Sequence, residues 1–183
     1  GTLTNGGTET PIFTPTNAEI ANGFVNLTVT AQPLTGCSAT ATQIIKVNLR
    51  PKATANSGSD IVVCQGNSIV LNNGANTTAT SFYWTENGTG YIEPATLNSI
   101  NPVYQPGTNE TGVVTFTLQA TNIAPCIGTV SQTITLTING QTTVNAGPDA
   151  SICQNSSYTL GAASAANQTS ITWSSCPNPS GII

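Results

Sequence analysis

The groups in this chain that could do chemistry are seven carboxylates and five cysteines, and there is no histidine. Without histidine no Ser-His or Cys-His nucleophile can be assembled, and the commonest general base is missing. Carboxylate pairs are what remains. Glu86 and Glu93 flank a glycine-rich turn, but neither recurs further along the chain, which is the pattern of solvated turn acids. No two cysteines have a zinc-type spacing, so neither a metal site nor a cofactor is expected. The residues point to a protein that is not an enzyme.

The spacing of the rarer residues carries more information. Cys37 and Cys126 lie 89 residues apart, as do Cys64 and Cys153, and Trp84 and Trp173. The surrounding text agrees: Asn56-Ser57-Gly58-Ser59-Asp60 before Cys64-Gln65 returns as Asn145-Ala146-Gly147-Pro148-Asp149 before Cys153-Gln154. A fixed period of this size signals tandem structural repeats. Pro11, Phe13 and Pro15 match Pro102, Tyr104 and Pro106 at an offset of 91, a two-residue length change that a turn absorbs. The expected domains are residues 1–51 as the C-terminal part of one repeat, 52–141 as a complete repeat, and 142–183 as the N-terminal part of a third. The chain has neither an initiator Met nor a leader segment, so its natural N-terminus is expected upstream of Gly1.

Within the complete repeat, residues 61–64, 68–71, 81–85, 113–121 and 129–138 are short runs rich in Val, Ile, Thr and aromatics, and they read as strands. Asn72-Asn73-Gly74, Glu86 to Gly90, and Gln105-Pro106-Gly107 supply the turns between them. Val114, Phe116, Leu118 and Ala120 alternate onto one face, and Ile134, Leu136 and Ile138 do the same after the loop holding Cys126. This predicts a long antiparallel hairpin with one buried face. No segment has sustained helical periodicity. The fold class expected is all-β, a tandem array of immunoglobulin-like β-sandwiches of about 89 residues. Trp84, Trp173, Phe116 and Leu118 are expected in the core.

The period also organises the cysteines. Cys64 and Cys126 are the only pair inside the complete repeat, and a disulfide between them would staple its ends. Buried free thiols are the alternative. Cys37 and Cys153 are copies of Cys126 and Cys64 whose partners would lie outside residues 1–183. Cys176 has no counterpart and could pair with Cys153 or stay free. A bridge of this kind implies an oxidising compartment. Asp60 and Asp149 recur in Gly-x-Asp turns, where a side chain caps its own backbone, with a weak calcium ligand as the sharper alternative.

Composition bounds the partners. Charged residues make up 5% of the chain against about 25% in an average soluble protein. Lys46, Arg50 and Lys52 are its only cations, so nucleic acid is not an expected partner. Thirty-two Thr and twenty Asn solvate the surface instead. No apolar run is long enough to insert in a membrane as a helix.

The segment Tyr104-Gln105-Pro106-Gly107, followed by residues 113–122, Cys126 and the final strand, resembles PKD and related immunoglobulin-like repeats. The opening Asn145-Ala146-Gly147-Pro148-Asp149 with Cys153-Gln154, and its copy at 56–65, resembles repeats of very long surface proteins of Bacteroidota, including gliding-motility-associated adhesins exported by type IX secretion. Many PKD repeats carry a Trp-Asp-Phe-Gly-Asp-Gly turn, whereas Trp84-Thr85-Glu86-Asn87-Gly88-Thr89-Gly90 stands here, without most of the acids. The resemblance implies an extracellular, cell-surface stalk, outer-membrane attached or secreted, whose partners are neighbouring repeats of the same chain. Surface polysaccharide and other adhesin or outer-membrane proteins are further candidates. Two other functions remain open: a polysaccharide-binding module using Tyr91 or Tyr104, and a subunit of a self-assembling extracellular fibre.

Overall fold

The computed structural model describes residues 1–175. Their fold is all-β. In chain order the elements are β1 (Thr2–Thr4), β2 (Ile12–Thr14), α1 (Asn17–Asn22), β3 (Phe24–Ala31), β4 (Ala41–Asn48), β5 (Ala55–Asn56), β6 (Ile61–Cys64), β7 (Ile69–Val70) and β8 (Asn76–Thr77). They continue with β9 (Phe82–Glu86), β10 (Tyr91–Ile92), β11 (Val103–Gln105), β12 (Gly112–Thr121), β13 (Thr129–Asn139), β14 (Thr143–Asn145) and β15 (Ser164–Ala166). Cys176 lies outside the described residues.

The contacts divide the chain into two compact units: Gly1–Ala55 with Thr77–Phe82 and Gln119–Ser131, and Asn56–Asn76 with Tyr83–Leu118 and the residues from Gln132 onward. Within the first unit, residues 50–54 are held by hydrogen bonds. The Ala53 N–H donates to Asn122 Oδ1 at 2.7 Å, the Thr54 N–H donates to Thr78 Oγ1 at 2.9 Å, and Cys126 Sγ lies 3.5 Å from the Arg50 carbonyl. Residues 50–53 are therefore held by the loop after β12.

In the first unit, β1 pairs with β2 and β3 with β4, each pair forming a two-stranded antiparallel sheet. The β3–β4 register runs from Phe24 opposite Asn48 to Ala31 opposite Ala41, which puts Val25, Leu27, Ile45 and Val47 on one face. The helix α1 was not expected. Its signature is local: Thr16 and Glu19 form a reciprocal capping box, and Gly23 closes the helix in the left-handed region at φ 81°.

The second unit holds the main core. A four-stranded sheet has the order β6-β13-β12-β9, and a three-stranded sheet the order β10-β11-β7. Trp84, Phe116, Leu118, Leu71, Leu136 and Tyr104 are fully buried. Tyr104 meets Phe116 edge to face, with ring centroids 5.0 Å apart and planes at 87°, and so ties the three-stranded sheet to the four-stranded one. Strand β6 runs parallel to β13, with Ile61 opposite Leu136 and Cys64 opposite Asn139.

Several local features recur at the period read from the sequence. The pair β14–β15 repeats β5–β8 at an offset of 89. Asn56 Oδ1 accepts from the Gly58 N–H at 3.0 Å, and Asn145 Oδ1 accepts from the Gly147 N–H at 2.8 Å. Both glycines have positive φ, 83° and 88°.

Candidate functional site

The most heavily hydrogen-bonded side chain of the second unit is one that sequence reading passed over. Glu110 is buried at the end of the turn after β11. One carboxylate oxygen accepts the Thr89 N–H at 2.6 Å; the other accepts the Gly107 N–H at 2.8 Å and the Tyr104 hydroxyl at 2.8 Å. Burial pushes this carboxyl up, but the two backbone donors and the phenol outweigh it and hold Glu110 below the ordinary carboxylate value. Burial, followed by the bond to Glu110, pushes the Tyr104 phenol well above the ordinary tyrosine range.

The glycine-rich turn after β9 exists to let this happen. The Gly88 N–H donates to the Glu86 carboxylate, and the Gly90 N–H donates to the Tyr104 hydroxyl at 3.1 Å. A side chain at Gly88 would collide with that hydroxyl, and one at Gly90 with the Gln105 carbonyl. Glu93 accepts from Gln105 Nε2 at 2.6 Å. The acids of this region thus hold turns together.

A signal for Glu110 was present in the sequence. Glu19 precedes it by 91 residues, the offset that matches Phe13 to Tyr104. In both places the carboxylate accepts the N–H three residues earlier: Thr16 to Glu19 at 2.8 Å and Gly107 to Glu110 at 2.8 Å.

Beside the knot is a polar cleft of about 340 Å³, lined by Gln65, Asn67, Ser68, Gln105, Thr108 and Asn109. Its lining offers neutral amide donors and acceptors and hydroxyls, with no ionised group. Such a surface can hydrogen-bond a neutral hydroxylated ligand.

The other residues singled out in the sequence fall as follows. Trp84 is buried and its Nε1–H donates to the Ser99 carbonyl at 3.1 Å. Phe116 and Leu118 are buried on β12. Trp173, expected in the core, is instead 54% exposed. Residues 142–175 form only β14 and β15.

The expected Cys64–Cys126 disulfide is not formed: both are free thiols, as are Cys37 and Cys153. Cys64 stands opposite Asn139 at the end of β13, and Cys126 Sγ lies 3.5 Å from the Arg50 carbonyl. Asp60 does not cap its own turn; Asn56 does that, and Asp60 Oδ1 accepts the Thr135 N–H of β13 at 2.8 Å. Asp149 is exposed. Among the described residues no cluster of acids or cysteines is arranged to hold a metal ion, and no helix is long and apolar enough to cross a membrane.

No family model matches the chain, and no curated protein matches it.

Proposed function

We propose that this chain is a run of immunoglobulin-like, PKD-like repeats of about 89 residues serving as a non-catalytic spacer in a long extracellular adhesin at the cell surface. The observation that carries the reading is the parallel pairing of β6, near the start of the central repeat, with β13, its last strand. Two parallel neighbours pulled from opposite ends are loaded in shear, so their hydrogen bonds must fail together rather than one at a time. The pairing is reinforced beyond the ladder. Asp60 takes the Thr135 N–H, the Ser57 hydroxyl donates to the Thr133 carbonyl at 3.0 Å, and the Gln65 N–H donates to the Asn139 carbonyl at 2.8 Å.

The recurrence of β5–β8 as β14–β15 and of the Asn-capped turn supports the repeat reading. The bonds from Ala53 and Thr54 support a short, restrained junction rather than a flexible tether. A neutral surface dense in Thr and Asn suits a spacer that must not adhere along its length.

Single-molecule stretching of the chain is expected to give a discrete unfolding step for the central repeat, and Asp60→Ala is expected to lower its force. A smooth extension without a step would refute the spacer reading. The amide-lined cleft, together with exposed Tyr91 on the strand opposite its lining residue Gln105, favours a second reading, polysaccharide binding, while Tyr104 is buried and presents no face to a sugar. A glycan array probed with the chain and with Tyr91→Ala separates the two, since only a cleft that binds sugar gives signals lost in the variant.

A further inference from the structure

At the 89-residue offset Arg50 is the copy of Asn139, since β4 and the residues after it align with β13 and those after it. In the central repeat Asn139 stands opposite Cys64, and its carbonyl accepts the N–H of Gln65, the next residue, at 2.8 Å. That bond holds the Cys64 Cα within about 5 Å of the Asn139 carbonyl oxygen. By equivalence, the Arg50 carbonyl is where the Cys64 position of the preceding repeat arrives.

The same carbonyl is met from the other side by Cys126. Its thiol donates to the Arg50 carbonyl at 3.5 Å and lies 3.9 Å from the Pro51 carbonyl. The loop that carries it is fastened in place. Asn122 Oδ1 accepts the Ala53 N–H at 2.7 Å, while Asn122 Nδ2 donates to the Ile127 and Gly128 carbonyls, each at 3.2 Å. The turn itself recurs one period earlier: the Cys126 N–H donates to the Ile123 carbonyl at 3.1 Å, and the Cys37 N–H to the Leu34 carbonyl at 3.0 Å. Two kinds of cysteine thus address one point, one kind from the repeat that ends there and the other from the repeat that begins there. A disulfide joins Cα atoms up to about 7 Å apart, a span suited to two cysteines that meet at one carbonyl.

We propose that consecutive repeats are cross-linked at their junction, the cysteine at the Cys64 position of one repeat forming a disulfide with the cysteine at the Cys126 position of the next. Cys126 then takes its partner from the repeat that ends at residue 51, and Cys64 takes its partner from the repeat that begins at residue 142. On this scheme no two of Cys37, Cys64, Cys126 and Cys153 are partners of one another, and all four are free thiols. The bond forms by exchange with a disulfide oxidant: the two thiols give up two protons and two electrons, one S–S bond joins them, and the oxidant is reduced to two thiols. The bridge spans residues 51–53, so a pull along the chain cannot lengthen the junction. The inference rests on the 89-residue repeat of the proposed function and not on the adhesin role.

The test extends the full chain by joining a copy of residues 52–91 ahead of Gly1, the register in which Gly1 follows as Ile92 does. The added segment brings one copy of Cys64 to the first repeat. After refolding with oxidised glutathione, peptide mapping is expected to find the added cysteine bonded to Cys126, with the loss of both thiols. Cys126→Ser should leave the added cysteine as a mixed disulfide with glutathione, and Cys37→Ser should leave the bridge intact. Amide hydrogen exchange in β3 and β4 should slow relative to the parent chain as the first repeat is completed. Slowed exchange with the added cysteine bonded to Cys37, or with no protein disulfide at all, overturns the cross-link and leaves the repeat standing. Unchanged exchange in β3 and β4 overturns both.

Discussion

Replacing Glu110 by glutamine keeps the shape of the side chain and removes the charge that three donors converge on. In the folded protein those donors are the Thr89 N–H, the Gly107 N–H and the Tyr104 hydroxyl, at 2.6, 2.8 and 2.8 Å. The amide oxygen can keep the Thr89 bond, but the NH₂ group then faces the Gly107 N–H, donor against donor. The Tyr104 hydroxyl can turn round and accept from the amide, whereas the backbone N–H has no such freedom. A hydrogen bond to a charged group contributes about 1.5–3 kcal/mol, and a buried donor left without a partner costs about 1–3 kcal/mol. The net loss expected is about 2–3 kcal/mol, which for a domain of this size lowers the melting temperature by roughly 10–20 °C. The assay is thermal melting followed by near-ultraviolet circular dichroism, repeated across pH. The folded-state value of Glu110 is depressed, so its stabilisation is fully present above the ordinary carboxylate value of 4.5 and is lost as pH falls through the lower folded value. The gap between the parent chain and Glu110→Gln should therefore be widest near neutrality and close in acid. A gap that is small at neutral pH, or that stays constant into acid, would refute the claim that an ionised carboxylate holds these two turns.

Truncating Trp84 to alanine removes the largest fully buried side chain and leaves the Ser99 carbonyl without its donor, so a loss of about 3–5 kcal/mol is expected in denaturant melts. Alkaline titration followed by phenolate absorbance should leave Tyr104 protonated until the fold is lost. Its folded value is raised, so its contribution is complete below the ordinary value of 10.0 and disappears as pH rises beyond it. Thiol reagents should modify exposed Cys37, Cys64 and Cys153 in the folded, unreduced protein, with half-buried Cys126 slower, and Cys64→Ser should change stability by no more than about 0.5 kcal/mol. Thiols detectable only after reduction would restore a bridge. Gly88→Ala should lower the melting temperature, because the new methyl collides with the Tyr104 hydroxyl, while Gly6→Ala, in open space, should not.

The strands between residues 61 and 139 were legible in the sequence because alternation is a property of neighbouring residues. The run Val114, Phe116, Leu118 and Ala120 is both alternating and buried. The helix α1 was equally legible in principle, through Thr16, Glu19 and Gly23, but six residues are too few to show a period. The carboxylate knot was harder to see. Glu110 forms its bonds with Thr89 and Tyr104, 21 and 6 residues away, and only the matching Glu19 hinted at it. For the cysteines, a shared period says that positions are equivalent and says nothing of which positions meet.

The sequence by itself determined the all-β character, the 89-residue recurrence and the absence of histidine-based chemistry, because composition and periodicity need no partner in space. Tertiary structure decided the rest. That β6 lies parallel to β13 and that Asp60 serves that pair rather than its own turn both depend on which strand edges come together. Alternation places a side chain on a face, but edge pairing is set by the combined packing of two sheets, and no local run of residues encodes it.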